Sequence, residues 1–551
     1  MRNLAEQFLA DGTLTADQLL IATQEQQTTG LPLPRQLIQL GFVSAALVRD
    51  YEANHAGHAS VDLTHILIDA ATLHCVPQAL ARRYTLLPLA YAAGVLTVAM
   101  SDAHPLLALD QLRLVCEATR IDVVLASEAQ LLEAIDKYYG FELDIAAILD
   151  EIESGKSVQT TGNDYAHPVV RLIDALLMDA VKQGASDVHF EPEAHFLRIR
   201  YRIDGVLMQI RALHLRYWSA MVVRLKVIAS MNIAESRAPQ DGRFTLTVQG
   251  RAIDFRASVQ PTLHGENIVL RILDRERAII ALADLQLNTA QRQLLDAMLA
   301  RPAGLVMVTG PTGSGKTTTL YSLLSHLNTE QVNIMTLEDP VEYPQERIRQ
   351  TSLNDAIKLD FGNGIRAIMR QDPDIILVGE VRDTDTAQMA FRAAMTGHQV
   401  FTTVHSNSAL GAYARLRDIG VAADIMAGNI NGIIAQRLVR QLCPTCKVAT
   451  PASVDELSVL GLGESERILY RAAGCVQCAG RGYRGRRLLM EIVLVDDALD
   501  DLVARQADVS ELRTYAKKQQ RHSLVDAAID CVLAGHTSLD EVRRMVDLSR
   551  R

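Results

Sequence analysis

Gly310-Pro311-Thr312-Gly313-Ser314-Gly315-Lys316-Thr317 has the G-x-x-x-x-G-K-[ST] spacing of a phosphate-binding loop, or P-loop. The apolar run 305–309 before it predicts a strand over 304–309, and apolar positions at helical spacing over 318–324 predict a helix after it. Glycines let the backbone curl until its N–H groups converge on phosphate oxygens, and the helix adds its positive dipole end. The segment therefore predicts a nucleotide site in an α/β domain. The alternative is a glycine-rich turn that binds no ligand.

The polar side chains of this loop indicate its ligands. In a P-loop the lysine, here Lys316, reaches the β- and γ-phosphates, and the hydroxyl that follows, here Thr317, coordinates magnesium. The nucleotide-binding segment is predicted to end at Thr318, in the first turn of the helix. We therefore expect ATP and Mg²⁺ as ligands.

Three other apolar runs each lead to a side chain that ATP chemistry could use, namely Glu338, Glu380 and His405. These predicted strands span 333–337, 375–378 and 399–404. Carboxylates at the carboxyl ends of parallel strands hold magnesium or position water, so Glu380 is predicted as a magnesium ligand on a Walker B strand. If the strands are neighbours, His405 lies beside the γ-phosphate. The alternatives are solvated strand ends and a packing histidine.

Four cysteines form two C-x-x-C pairs, with 28 residues between the pairs. The residues are Cys443, Cys446, Cys475 and Cys478. Two such turns can complete a tetrahedral cage of four thiolates, which suits Zn²⁺ and leaves no open position for catalysis. We therefore predict a structural zinc site. A redox pair is the alternative, although no thioredoxin-like βαβ pattern surrounds either turn.

Composition restricts the class and the partners of the chain. Hydrophobic residues make up 48% and charged residues 22% of the 551 positions, which is typical of globular domains. The net charge of −10 argues against nucleic acid as a partner of the whole chain. Neither a bilayer-spanning run nor a secretory signal is found, so we expect a cytoplasmic protein.

A basic loop follows the second cysteine pair, with arginines at Arg481, Arg484, Arg486 and Arg487. A solvated loop is one interpretation, and contact with anionic lipid headgroups or an acidic partner is the other.

For the whole chain, we expect an N-terminal docking module at 1–148, with two helical hairpins and then an α+β part, and a linker at 149–165. An α+β domain follows at 166–285, and an α/β ATPase domain at 286–551 with the cysteine insertion at about 440–488.

These motifs, in this order, resemble the secretion ATPases of the type II secretion and type IV pilus assembly family. Further similar segments lie before the P-loop and are Ala185–Pro192, Tyr201–Gly205, Pro239–Arg243 and Leu263–Asn267. The resemblance implies a RecA-like ATPase domain preceded by a PAS-like α+β domain. It also implies a homo-hexameric ring that hydrolyses ATP between subunits and drives a membrane assembly platform, with the ATPase peripheral to the inner membrane.

The resemblance also implies roles for individual residues. Either Glu338 or Glu380 would orient the attacking water while the other helps to hold magnesium, and His405 belongs to the family's His box. Arginines from the domain before the P-loop would reach the phosphates across an interface. The candidates are Arg200, Arg202, Arg224 and Arg237, with Arg202 as our first choice.

A faint repeat with an offset of 29 residues occupies the first sixty positions, and each copy predicts a short helix, a Gly at its stop and then a Thr or Ser N-cap that opens a second helix. It resembles a module that binds cyclic di-GMP in some relatives and opens each half with Arg-Leu-Gly. Here the corresponding triplets are Asn3-Leu4-Ala5 and Pro32-Leu33-Pro34. Because both arginines are missing, we predict docking to an inner-membrane partner rather than nucleotide sensing.

Two other functions remain as alternatives to an assembly motor. A nucleotide-gated scaffold would bind ATP to order a ring but would hardly hydrolyse it. A pilus-retraction ATPase would belong to the same superfamily, but such motors generally lack both the long N-terminal extension and the cysteine quartet.

Overall fold

The structure is a computed structural model that divides into two compact units, residues 1–274 and 275–551. It describes residues 8–9, 11, 13–29, 33–43, 47–48, 59–63, 66–101, 106–116, 118–139, 145–154, 168–248, 251–274, 280–354, 359–463, 466–519 and 521–550. Within these ranges, every helix is too short or too polar to traverse a bilayer.

The first unit opens with two helices, α1 (Ala16–Thr29) and α2 (Leu33–Gln39). The Thr15 hydroxyl accepts the Gln18 N–H at 3.3 Å, so α1 has the N-cap that the repeat predicts. Gly41, with φ +72°, follows α2 at the predicted stop. The first predicted helix of the repeat lies largely outside the described residues.

A four-stranded sheet with helices follows. Its elements are β1 (Ala59–Ser60), β2 (Ile66–Leu67), α3 (Ala70–His74), α4 (Gln78–Tyr84), β3 (Leu86–Ala92), β4 (Val95–Met100), α5 (Leu106–Val115), β5 (Arg120–Leu125) and α6 (Glu128–Tyr139). The strand order is β1-β5-β4-β3, and β2 belongs to the next sheet. These strands and helices form the α+β part that the sequence predicts within 1–148.

The second sheet of this unit has seven strands in the order β2-β9-β10-β11-β6-β7-β8. Its elements are α7 (Ile145–Ser154), α8 (Pro168–Lys182), β6 (Ala185–Pro192), β7 (Phe196–Ile203), β8 (Val206–His214), α9 (Trp218–Ile228), β9 (Gln240–Val248), β10 (Arg251–Thr262) and β11 (Gly265–Asp274). Side chains alternate along β7, so Leu197, Ile199 and Tyr201 pack into the core with α8 and α9. The arginines between them occupy the other face.

Helix α7 differs from the sequence expectation, which began a linker at 149. Ile148 is fully buried and Ile152 packs beside it in the same core as α8, so burial of an apolar stripe makes 149–154 helical. The Arg171 guanidinium of α8 also pairs with Glu151 at 2.7 Å. The rest of the predicted linker lies outside the described residues.

The second unit is built on a seven-stranded sheet in the order β14-β13-β15-β16-β12-β17-β20. Its elements up to β17 are α10 (Thr289–Leu299), β12 (Gly304–Thr309), α11 (Lys316–Leu327), β13 (Ile334–Glu338), β14 (Ile348–Ser352), α12 (Phe361–Ile368), β15 (Ile375–Val378), α13 (Thr384–Met395), β16 (Gln399–Val404), α14 (Gly411–Ile419), α15 (Ala423–Met426) and β17 (Ile430–Leu442). Neighbouring strands are parallel except β17 and β20. The four predicted strands around the P-loop are confirmed.

Burial on both faces explains why these strands are continuously apolar. Along β12, Leu305 and Met307 enter one core, whereas Val306 and Val308 enter the core on the opposite side. Helices α12 and α13 contribute to the first core, and α10 and α11 to the second. The result is a parallel sheet covered on both faces, which places the carboxyl ends of its strands along one edge.

The cysteine insertion lies between β17 and β20, and helices complete the chain. These elements are β18 (Val448–Pro451), α16 (Val454–Val459), β19 (Ile468–Arg471), β20 (Tyr483–Leu494), α17 (Asp497–Ala504), α18 (Val509–Lys518), α19 (Leu524–Leu533) and α20 (Leu539–Met545). Arg440 of β17 pairs with the buried Glu541 of α20 at 2.7 Å, which ties the base of the insertion to the last helices.

Candidate functional site

The P-loop connects the carboxyl end of β12 to the first residue of α11. Gly310, Gly313 and Gly315 have φ values of +151°, +77° and +89°, which residues other than glycine rarely adopt. A Cβ on Gly310 would also lie 2.5 Å from the Gln436 carbonyl oxygen and 2.7 Å from the Ser314 hydroxyl. These glycines are therefore required by the backbone path, and that path forms an anion-binding curl at a helix N-terminus.

Lys316 lies inside the curl of the loop. Its Nζ donates to the carbonyl oxygens of Gly310 at 2.9 Å and Pro311 at 3.2 Å. Burial lowers the pKa of this ammonium group, and the charge of Glu380 opposes that shift. The lysine and Glu380 are thus close enough to interact electrostatically.

Strand β17 supports the loop from the side opposite β16. The Gln436 side chain donates to the Ser314 carbonyl at 2.8 Å. On the other side, the Thr309 hydroxyl bonds to the Val404 carbonyl at 2.9 Å and accepts the Ser406 N–H at 2.8 Å. The P-loop is therefore fixed between two parallel strands.

Glu380 and His405 come together at the carboxyl edge of the sheet. His405 Nε2 lies 3.0 Å from Glu380 Oε1, and Arg382 Nε donates to Glu380 Oε2 at 2.8 Å. The adjacent parallel strands β15 and β16 pair Val378 with Thr402, which brings their ends side by side. This arrangement places a carboxylate, a histidine and the P-loop lysine in one region, as a magnesium and water site requires.

Glu338 has a different environment, because its side chain is bound on several sides within the protein. The residue is 5% exposed. The Tyr321 hydroxyl of α11 donates to Oε2, while the Thr336 hydroxyl and the Gln350 amide donate to Oε1 at 2.6 and 3.2 Å. Burial raises the pKa of Tyr321, and the negative charge of Glu338 adds to that shift. Glu338 therefore links the P-loop helix to strands β13 and β14.

His405 does not lie with His398, the histidine at the other end of the same strand. His398 precedes β16 and its Nδ1 lies 2.9 Å from the Ala393 carbonyl at the end of α13. His405 follows the same strand at its other end. Because a six-residue strand separates them, His398 belongs to the opposite edge of the sheet.

The candidate arginines belong to the first unit (Arg200, Arg202, Arg224 and Arg237). The first three lie 2.6, 3.4 and 3.9 Å from the carboxylates of Glu191, Asp187 and Asp174, respectively. The side chain of Arg237 is 91% exposed and lies 3.8 Å from Glu235.

Strand register reveals an arginine row that sequence reasoning missed. Cross-strand pairs align Arg243 with Arg256, Arg256 with Arg271, Arg271 with Asp187, and Asp187 with Arg202. Like charges directly opposite one another are destabilising, so a row of four arginines with one aspartate is unfavourable for a purely structural face. The registers of three pairs of consecutive strands, together with the pairing of β11 with the distant β6, create this row.

The four cysteines of the insertion converge. Their sulfur atoms all lie within 4.8 Å of one another, and three of the Sγ–Sγ distances are 3.9, 3.8 and 3.7 Å. A tetrahedron with metal–sulfur bonds of about 2.3 Å has edges of about 3.8 Å. Burial alone would raise the pKa of Cys478, but N–H donors from Cys475 and Gly482 lower it to about 6, which favours a thiolate.

Known proteins are similar to this chain over most of its length. The family described as Type II/IV secretion system protein matches residues 163–544, and an MshEN domain matches 55–145. The type IV pilus assembly ATPase PilB of Myxococcus xanthus is 37% identical over 556 residues, which cover 98% of each chain. The type II secretion system ATPase E of Vibrio cholerae is 40% identical over 465 residues, covering 84% of this chain and 91% of that protein.

A solved structure has the same fold in the larger part of the chain. The ATPase DotB of Legionella pneumophila superposes with a TM-score of 0.51 at 21% identity, covering 68% of this chain and 94% of that one. The P-loop, the strand-end carboxylate and these similarities lead to one conclusion. The chain belongs to the Type II/IV secretion system protein family and is a P-loop ATPase.

Proposed function

We propose that this ATPase is a homo-hexameric motor that assembles a type IV pilus or a type II secretion pseudopilus. The observation that carries the proposal is the convergence of Lys316, Glu380 and His405 at one edge of the sheet. Similarity to PilB over 98% of both chains supports assembly rather than retraction. The motor would act at the cytoplasmic face of the inner membrane through a membrane platform and docking proteins.

Within this site we assign ATP to residues 310–318 and magnesium to Thr317 and Glu380. Glu380 is also the residue we favour for orienting water, because it lies with His405 and interacts with the P-loop lysine. Glu338 already accepts three hydrogen bonds from protein side chains, so we assign it a supporting role for the P-loop helix. Of the two glutamates that the sequence left as candidates for orienting water, we therefore propose Glu380.

We propose that the arginine row, in which Arg271 and Arg202 flank Asp187, supplies the positive charge that each chain contributes to the phosphates of a neighbouring chain. Two of its arginines lie at 3.4 and 3.3 Å from Asp187, which holds them without neutralising the row. The other sequence candidates, Arg200, Arg224 and Arg237, remain proposals and lie outside this alignment. An arginine supplied across an interface is worth about 10³–10⁵ in rate in other ATPases and GTPases.

The four cysteines are proposed to hold structural zinc. The donor set and the sulfur spacing both fit a tetrahedral ion with no open position. Zinc would supply folding free energy to the insertion rather than chemistry to the ATP site.

The N-terminal repeat is proposed to dock to an inner-membrane partner and not to bind cyclic di-GMP. The MshEN match begins at residue 55, after both triplets that lack arginine. The sequence predicts a basic loop at 481–487, but strand pairing with β17 places 483–487 in β20. Anionic lipid remains a proposed contact of this segment, in which Arg484 is exposed.

Phosphate release by the purified full-length chain, compared with Lys316→Ala, tests hydrolysis. A motor requires wild-type release well above that of the variant at equal protein concentration. Equal rates, with ATP binding retained by the wild type, would instead indicate a nucleotide-gated scaffold.

A further inference from the structure

Arg437 is a buried arginine that none of the preceding assignments uses. It lies in β17, next to Gln436, and is 7% exposed. Its guanidinium donates to two carbonyl oxygens in different parts of the chain: Nη1 to Gln436 at 2.9 Å and Nη2 to Asn407 at 3.0 Å. A planar fork with fixed donor directions can hold two such acceptors in one geometry, whereas an ammonium group is a point charge.

Both acceptors belong to segments that contact or carry residues of the proposed ATP site. The Gln436 carbonyl is the atom that approaches Gly310 of the P-loop, and the Gln436 amide bonds the Ser314 carbonyl. Asn407 lies two residues after His405, whose Nε2 contacts Glu380. Arg437 therefore connects the backbone that supports the P-loop with the segment that carries His405.

The charge of Arg437 also acts within the site. Burial lowers its pKa, and Glu491 of the adjacent strand β20 opposes that shift as an acidic counter-charge. The positive charge in turn adds to the effect of burial in lowering the pKa of Lys316. Burying a cation costs free energy unless its interactions compensate. At a purely structural position, an apolar side chain of similar volume would therefore give equal or greater stability.

We propose that Arg437 is a positioning residue for ATP hydrolysis, whose guanidinium fork holds the His405 segment in register with the P-loop. The inference rests on the proposed function, since it assumes that His405 and Glu380 act in hydrolysis. It adds a residue that acts through two backbone carbonyls, those of Gln436 and Asn407.

A double-mutant cycle tests this role. Arg437→Lys keeps the charge and loses the fork, so we expect kcat to fall by about tenfold or more while KM changes by less than about twofold. In the His405→Ala background, the same substitution should change kcat by less than about twofold, because the group being positioned is already absent. If Arg437→Lys does not fold, Arg437→Gln replaces it in the same cycle.

Arg440→Lys is the matched control, because Arg440 lies on the same strand and its fork binds Glu541 of α20 instead. This control should change kcat by the same small factor in both backgrounds. If Arg437→Lys lowers kcat equally with and without His405, the positioning role is overturned while ATP hydrolysis stands. If the wild type releases no more phosphate than Lys316→Ala, the proposed function fails, and this inference fails with it.

Discussion

At the scale of single residues, the two strand-end glutamates show how environment separates similar side chains. Glu380 faces His405 and an exposed arginine, whereas Glu338 is enclosed by hydroxyl and amide donors. A carboxylate enclosed by hydroxyl and amide donors contributes stability, whereas one that pairs with an exposed arginine and a partly exposed histidine at a strand end can coordinate a cation.

Glu338→Gln should therefore destabilise the second unit. The amide places an N–H₂ group against donors that need an acceptor, and each buried polar group left unpaired costs about 1–3 kcal/mol. Urea unfolding of the variant should show a loss of that size. Glu346→Gln, an exposed change of the same kind, should stay within about 0.5 kcal/mol of wild type. Equal stability of the two variants would contradict the supporting role of Glu338.

At the scale of elements, much of the fold is readable from sequence because each signal is local. The apolar runs 304–309, 375–378 and 399–404 are strands with those same bounds in the structure. Helix α7 was missed because its apolar stripe is short and next to polar residues, and burial against α8 decides it. Tyr321, Gln350 and the arginine row were missed because their partners lie on other elements, and strand register and helix packing decide these contacts.

The P-loop turn should not tolerate a side chain at Gly310. A methyl group there meets the Gln436 carbonyl at 2.5 Å, so Gly310→Ala must displace either the loop or β17. We expect ATP affinity to fall by at least about tenfold in a nucleotide titration. Gly397→Ala is the control, since Gly397 also has positive φ but open space around it. Loss of affinity in both variants would show that backbone strain elsewhere, rather than loop geometry, is responsible.

The cysteine insertion should depend on metal for its stability. Elemental analysis of protein purified under reducing, chelator-free conditions should give close to one zinc per chain. Cys478→Ser should lower both the zinc content and the midpoint of thermal unfolding, because a structural zinc site contributes folding free energy. Cys531→Ser, at a buried cysteine outside the cluster, should keep its zinc. Wild-type protein that contains no zinc, together with an unchanged midpoint of thermal unfolding in Cys478→Ser, would refute the four-cysteine zinc site.

At the scale of the whole molecule, each chain is proposed to lend arginines to the site of another. Arg271→Ala and Lys316→Ala should each abolish phosphate release in isolation. When the two variants are mixed and allowed to exchange subunits, some interfaces will combine an intact arginine row with an intact P-loop. We therefore expect partial recovery of activity in the mixture. An inactive mixture, with exchange shown by a labelled subunit, would place the arginines in a role within their own chain.

The most direct measurement compares ATP binding and phosphate release in the same preparation of Glu380→Gln. The P-loop is intact in this variant, so ATP should bind with an affinity close to that of the wild type. Without the carboxylate beside His405, phosphate release should fall by about a hundredfold or more. Wild-type rates of release from Glu380→Gln would contradict hydrolysis by this strand-end carboxylate and, with it, the proposed site.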